Sequence, residues 1–180
     1  EAGHKLHLIH EEVQRLEKFL SDLSSFTRSA PGQKTPGDVA ALIREVGDLM
    51  QDSFKEKGVI LRVQAEEIPL FPFDAGQIRQ VLVNIFKNAL EAMPQGGELA
   101  VTAQVKENLV ELTIRDTGQG IAPEHLQQLF TPFFSTKEKG TGLGLVICRG
   151  IIEQHRGDIR IDSQPERGAT CTIRLPLDPG

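Results

Sequence analysis

Three short stretches of this chain carry residues whose types and spacing could do chemistry. Asn84 and Asn88 stand one helical turn apart in a stripe with Gln77, Gln80 and Glu91, opposite an apolar side of Ile78, Leu82, Ile85, Phe86, Ala89 and Met93. An amphipathic surface helix accounts for such a stripe. Asn is nevertheless a mediocre helix former, because its amide competes for the backbone. Two amide oxygens aimed the same way can also serve a hard cation. The second stretch, Asp116-Thr117-Gly118-Gln119-Gly120-Ile121, directly follows a predicted strand. Its glycines let the backbone turn sharply and approach a ligand, and its carboxylate can accept a hydrogen bond from an exocyclic amine such as that of adenine. A plain glycine-rich turn is the alternative.

The third stretch, Gly140-Thr141-Gly142-Leu143-Gly144-Leu145, opens a predicted helix, with Lys137 and Lys139 just before it. Exposed N–H groups at a helix N-terminus favour a phosphate. The spacing is G-x-G-x-G with no preceding strand, which excludes the dinucleotide fingerprint G-x-G-x-x-G. A Walker A sequence is absent, and so are the H-R-D and D-F-G motifs of the eukaryotic-type protein kinases.

The elements that must position these stretches are legible from pattern and punctuation. Asp38 can cap a helix carrying Val39, Leu42, Ile43, Val46, Leu49 and Met50, and residues 59–63 read as a strand. Asp74 with Gln77 forms a start resembling a capping box for a helix that runs to about Met93, where Pro94-Gln95-Gly96-Gly97 stops it. Residues 99–105 and 109–115 alternate as a hairpin, 116–140 are rich in loop signals, a helix covers about 143–155, and strands near 158–162 and 169–175 close the chain. A sheet covered on one face by helices is the expected plan.

Ahead of this, Leu6, Ile9, Val13, Leu16, Leu20 and Leu23 recur in alternating steps of three and four, a heptad seam. One helix cannot bury such a seam alone, so a bundle is expected. Pro31-Gly32 begins a short linker that extends to Gly37. The chain starts within this helical pattern without Met, as a fragment would, which leaves room for a sensor or membrane part upstream.

At 180 residues, with 39% hydrophobic and 25% charged residues, the composition is that of a globular protein able to fold without disulfides or metal. The net charge of -5 and the absence of Trp and Tyr argue against a nucleic-acid binder. No apolar run approaches the roughly 18 residues that span a bilayer, and no secretory signal opens the chain. Cys148 and Cys171 read as free thiols suited to a reducing cytosol.

Order and spacing turn three ambiguous stretches into one pattern. Asn84-x3-Asn88-Ala89, Asp116-x-Gly118-x-Gly120, Phe130-x2-Phe133-Phe134 and Gly140-x-Gly142-x-Gly144 resemble the N, G1, F and G2 boxes of sensor histidine kinases, and Gly168-Ala169-Thr170 resembles the closing patch. The match runs over residues 38–180, and the wording "NALEAM", "FTPFFSTK" and "GTGLGL" is most similar to the nitrogen-regulation type. The resemblance implies the α/β two-layer sandwich of the histidine kinase, gyrase and chaperone ATP-binding superfamily. That fold has a mixed sheet with three helices on one face, here preceded by a long N-terminal helix. Residues 1–30 would be the second helix of a dimerisation and phosphoacceptor hairpin, 31–37 a linker, and 38–180 the ATP-binding catalytic domain. It also implies ATP and Mg2+ as cofactors, with Asn88 holding the metal, Asn84 beside it and Lys137 reaching phosphate. Asp116 would hold the adenine amine, with Gly118, Gly120 and Ile121 shaping that pocket. Gly142, Leu143, Gly144 and Leu145 would face the phosphates, Thr170 would support the adenine end, and residues 122–139 would form a lid. A response regulator and a second copy of the chain are the implied protein partners, in the cytoplasm.

One departure from the family pattern matters. The acceptor should read H-E-x-x-x-P on the preceding helix, and neither His4 nor His7 matches, while His10-Glu11 lacks the proline. His125 and His155 read as exposed polar positions in helices. The chain is therefore expected to bind Mg·ATP without labelling itself. Two other readings compete with the kinase. An ATP-hydrolysing machine of the gyrase or chaperone type would need a Glu where Asn84 stands, because an amide cannot act as a base. A non-catalytic ATP-binding scaffold would not need Asn88, Asp116 and the glycine loop intact.

Overall fold

The structure, a computed structural model, describes Val13, Leu16, Leu20, Ser24 and residues 32–137 and 140–178. Most of the N-terminal heptad, His4, His7, His10 and Lys139 lie outside the described residues. The four isolated described positions are helical, and Val13, Leu16 and Leu20 are 46%, 54% and 62% exposed.

Strand β1 (Thr35–Gly37) opens the domain and pairs antiparallel with β3 (Phe71–Phe73). The last three residues expected as linker are thus hydrogen-bonded into the fold. Between them come helix α1 (Val39–Leu49), helix α2 (Gln51–Lys57) and strand β2 (Val59–Ala65). Asp38 caps α1 by accepting from Ala41 N at 2.9 Å, as its position suggests. Helix α1 ends in a break at Met50, and Leu49, expected on its apolar side, is 69% exposed.

Helix α3 (Ala75–Ala92) then leads into β4 (Gly97–Lys106) and β5 (Leu109–Asp116). A short helix α4 (Pro123–Leu126) and loops precede α5 (Gly144–Gln154), and β6 (Asp158–Ser163) and β7 (Ala169–Pro176) finish the chain. The main sheet has the order β2-β4-β5-β7-β6, with β2 and β4 parallel and the other neighbours antiparallel. The parallel pair needs a crossover, which β3 and α3 supply. This is the mixed sheet with helices on one face that the resemblance implied.

The core lies between helices and sheet. From α3 it takes Ile78, Leu82, Ile85, Phe86 and Ala89, the apolar side read from the periodicity. Ile43 and Val46 of α1, Ile147 and Ile152 of α5, and Leu99, Leu112 and Ile173 of the sheet meet them. Each of these side chains except the small Ala89 contributes about 1.5–3 kcal/mol on burial. The opposite sheet face is polar. There Glu111 is paired by Lys106 at 2.5 Å and Arg174 at 2.9 Å, and the ammonium first, then the guanidinium, hold its carboxyl below the usual range.

Helices α3 and α5 run antiparallel. Near their middles the Cys148 thiol lies against the Val81 carbonyl at 3.9 Å, and burial pushes that thiol up to about 12. No helix among the described residues is long and apolar enough to cross a membrane.

Candidate functional site

A cavity of about 620 Å³ lies where the C-terminal half of α3, the end of β5 and the start of α5 converge. Its walls include Asn84, Asn88, Asp116, Gly120, Ile121, Lys137, Gly142, Gly144 and Leu145, all expected from sequence. Asp116 is the last residue of β5, so the sheet fixes its backbone while its side chain reaches the cavity. It is 7% exposed, and its Oδ1 accepts from Gly118 N at 2.8 Å and Ala169 N at 3.2 Å. Burial raises its carboxyl above the ordinary value, and the two N–H donors pull it partly back. A charge this poorly solvated favours a ligand that donates a hydrogen bond to it.

The turn after Asp116 depends on Gly120, which has a φ of +70° and packs so tightly that a Cβ would meet the Gln164 carbonyl at 2.0 Å. Ile121 N donates to Ser163 Oγ at 2.9 Å, which ties the turn to β6. Across the cavity the N-terminus of α5 has Leu143 as its cap, with no side-chain capping bond and no acidic residue in the first turn. Leu143 N reaches Thr141 Oγ1 at a long 3.5 Å, and the first-turn N–H groups beyond it are left for an anion. Gly142, at a φ of +67°, lets the loop pass within reach of the Phe133 backbone, whose N–H donates to the Gly142 carbonyl at 3.1 Å.

On α3, Asn84 Nδ2 makes a long 3.5 Å contact to the Gly144 carbonyl, linking the two helices. Asn88 Oδ1 accepts from Lys137 Nζ at 3.2 Å, and the same ammonium pairs with Glu91 Oε2. Among the described residues no cluster of three His, Cys, Asp or Glu could hold a metal. A divalent ion here would use the Asn88 oxygen with ligand phosphates, a donor set that suits Mg2+.

Three expected residues do not line the cavity. Gly118 acts through its N–H on Asp116. The Leu143 side chain is fully buried in the core. Strand alternation turns Ala169 and Cys171 toward the cavity and so places Thr170 on the other face of β7. Neither histidine read as exposed is so. His155 is 3% exposed: Nε2 accepts from Asp74 N at 3.0 Å and Nδ1 donates to the Ile151 carbonyl at 2.8 Å. Burial lowers its pKa, and a ring that accepts at Nε2 carries no proton there. His125 lines the cavity beside Phe134, with ring centroids 5.7 Å apart, and its buried Nδ1 has no partner.

Glu91, Gln119 and His125 are wall residues that the sequence reading did not assign to the site. Glu91 had a signal, since it closes the polar stripe of α3. Gln119 and His125 stood inside the glycine turn and the lid stretch, but neither residue was given a role there. Of the three lid phenylalanines, Phe134 lines the cavity, Phe130 lies under the Arg149 guanidinium at 5.4 Å, and Phe133 is 63% exposed.

Comparison with known proteins identifies the family. Residues 73–179 match the family described as histidine kinase-, DNA gyrase B-, and HSP90-like ATPase. The chain is 35% identical over 175 residues to sporulation kinase A of Bacillus subtilis, covering 96% of this chain and 29% of that protein. It superposes on full-length ShkA in complex with AMPPNP with a TM-score of 0.86 at 27% identity, covering 97% of this chain and 38% of that one. On histidine kinase ThkA in complex with the response regulator TrrA the TM-score is 0.81 at 28% identity, covering 96% of this chain and 50% of that one. The chain belongs to the histidine kinase-, DNA gyrase B- and HSP90-like ATPase family, and it carries the ATP-binding catalytic domain of the sensor histidine kinases. It spans about a third of the length of the curated relative it matches first.

Proposed function

We propose that this chain binds Mg·ATP in the cavity and supplies the γ-phosphoryl group to a histidine on a helical hairpin, from which a response regulator takes it. The observation that carries the reading is Asp116. Its buried carboxylate is held by two N–H donors at one end of the cavity, and the uncapped start of α5 lies at the other. In this reading Asp116 accepts the adenine amine, and Gly118, Gly120 and Ile121 hold the turn in which it sits. Gly142, Leu143, Gly144 and Leu145 present N–H groups to the phosphates. Asn88 holds the Mg2+, with Asn84 alongside, and the ion supplies charge neutralisation on the phosphates. Lys137 brings a further positive charge from the lid. Such a site works by positioning and charge, which is most of what phosphoryl transfer asks of a protein. Thr170 faces away from the cavity and acts only through its strand neighbours Ala169 and Cys171.

Dimerisation through the exposed seam of Val13, Leu16 and Leu20 belongs to the same reading, as does work in the cytoplasm. Leu16→Glu should then abolish dimers in sedimentation while leaving ATP affinity intact; equal sedimentation of parent and variant would dismiss the seam. The likeness to the nitrogen-regulation type adds a narrower proposal about signalling class.

Incubation with γ-labelled ATP and a separate hairpin bearing the acceptor motif tests the function. An acid-labile, base-stable label on the hairpin, and none on this chain alone, is the expected result. Steady phosphate release without a hairpin would favour the ATPase reading instead, although Asn84 offers water no base. A label on His10 would show that this chain carries its own acceptor.

A further inference from the structure

Glu91 stands three residues beyond Asn88 on α3, so the two side chains share one helical face. Lys137 comes to both from the loop that covers the cavity, donating to Asn88 Oδ1 at 3.2 Å and pairing with the Glu91 carboxylate. The loop's own hydrogen bonds aim it there. Lys137 N donates to Ser135 Oγ at 3.1 Å, and the Lys137 carbonyl accepts from Ser135 Oγ at 3.2 Å and from Gly140 N at 3.1 Å. The Lys137 and Glu91 side chains are 41% and 48% exposed, so burial does not force them together. Charge and the turn do.

An ammonium therefore sits on the carboxamide oxygen that the proposed function gives to a divalent cation. A carboxylate and an amide oxygen on one face suit either cation. Repulsion between the two positive charges disfavours holding both at bonding distance. We propose that Glu91 is a working member of the nucleotide site: with Asn88 it forms an oxygen pair whose resident cation in the nucleotide-free chain is the Lys137 ammonium, which yields these oxygens to Mg2+ when Mg·nucleotide binds. The inference rests on reading the cavity as a Mg·ATP site. It assigns Lys137 two positions, one pinning the loop to α3 and one free to meet phosphate. It gives Glu91 two tasks, holding the loop when nucleotide is absent and drawing in the metal when it is present.

The test uses Glu91→Gln, Lys137→Met and the double variant, with two readouts other than turnover. In the nucleotide-free chain, each single variant should speed hydrogen exchange of residues 131–137 by about two- to five-fold, the scale of an exposed ion pair. The double variant should add nothing further, since one interaction is shared. Calorimetry with ADP, with and without Mg2+, gives the second readout. The gain in affinity that Mg2+ confers should shrink in Glu91→Gln. In Lys137→Met it should stay level or grow, because the competing ammonium is gone. Merely structural roles would move the two variants alike. Nucleotide binding with an unchanged Mg2+ gain in Glu91→Gln overturns this proposal alone, as does unchanged loop exchange in both single variants. A parent chain that binds no nucleotide with or without Mg2+ overturns the site reading and this proposal together.

Discussion

Helices α3 and α5 lie side by side with their two ends in opposite conditions. At the end where α3 begins and α5 stops, every key polar group is paired. Asp74 caps α3 through Gln77 N at 2.9 Å, Asp74 N donates to the buried His155 ring, and Lys34 Nζ closes on the Gln154 carbonyl at 2.7 Å. At the other end, the start of α5 has no side-chain cap, Asp116 lies in a pocket whose burial raises its carboxyl above the ordinary value, and His125 Nδ1 is buried without a partner. The same two helices thus carry a finished joint and an unfinished one. Unsatisfied groups are costly, and their gathering around one cavity marks where a ligand completes the protein. The finished joint lies directly beside β1, where Lys34 reaches α5 and Thr35–Gly37 pairs with the strand that leads into α3.

Removing the charge at the open end should have the largest effect. Asp116→Asn keeps an oxygen for the Gly118 and Ala169 N–H groups but loses the charge-assisted bond to an amine, about 1.5–3 kcal/mol of ATP affinity by calorimetry. Its folded pKa is raised, so its stabilising share is complete below the ordinary carboxylate pKa and is lost as pH rises through the folded value. At neutral pH the variant should therefore melt no lower than the parent, and it should melt higher if desolvation dominates. Lower stability with unchanged affinity would reverse the assignment of the two ends.

Breaking the closed end should do the opposite. His155→Phe fills the space yet leaves Asp74 N without an acceptor, at a cost of about 1–3 kcal/mol in denaturant unfolding. ATP affinity should change far less. The lowered folded pKa of His155 means that its stabilising share is present above the ordinary histidine pKa and is lost as pH falls through the folded value. The parent should weaken progressively below about pH 6.5, and the variant should lack that component. Identical acid profiles would show that the joint is not where the protein resists protonation.

The polar outer sheet face supplies a control away from both ends. Glu111→Gln keeps the shape but loses two ion pairs, for about 0.5–1 kcal/mol. The lowered Glu111 pKa places this share above the ordinary Glu pKa, with loss as pH falls through the depressed value. Acid unfolding should shift slightly while ATP affinity stays put. A change in affinity would mean that the sheet face is coupled to the cavity.

Local chemistry was legible in the residues; distant partnership was not. The alternation of residues 109–115 and the apolar side of α3 depend on neighbours in sequence, and both matched. The capping signal at Asp74 was half right. Its side chain caps Gln77 N, but the reciprocal bond is made by His155 from 81 residues away, while Gln77 turns its amide to Gln154. No local pattern announces such a partner, which is why a buried joint read as an exposed histidine. Strand β1 was hidden for a related reason, since three residues with Pro36 among them look like linker until Phe71–Phe73 pairs with them. Around the cavity, the glycine loops and Asp116 stood out in the sequence by residue type. Glu91 needed Lys137 beside it before it read as more than the end of a polar stripe.

Hydrogen exchange with and without Mg·ATP tests the contrast between the two ends most directly. Protection should appear at residues 116–121, 131–137 and 140–145 around the open end. Residues 74–77 and 151–155 at the closed joint should be already slow and unchanged. Protection spread equally over both ends, or none at 116–121, would contradict the claim that the ligand completes this cavity.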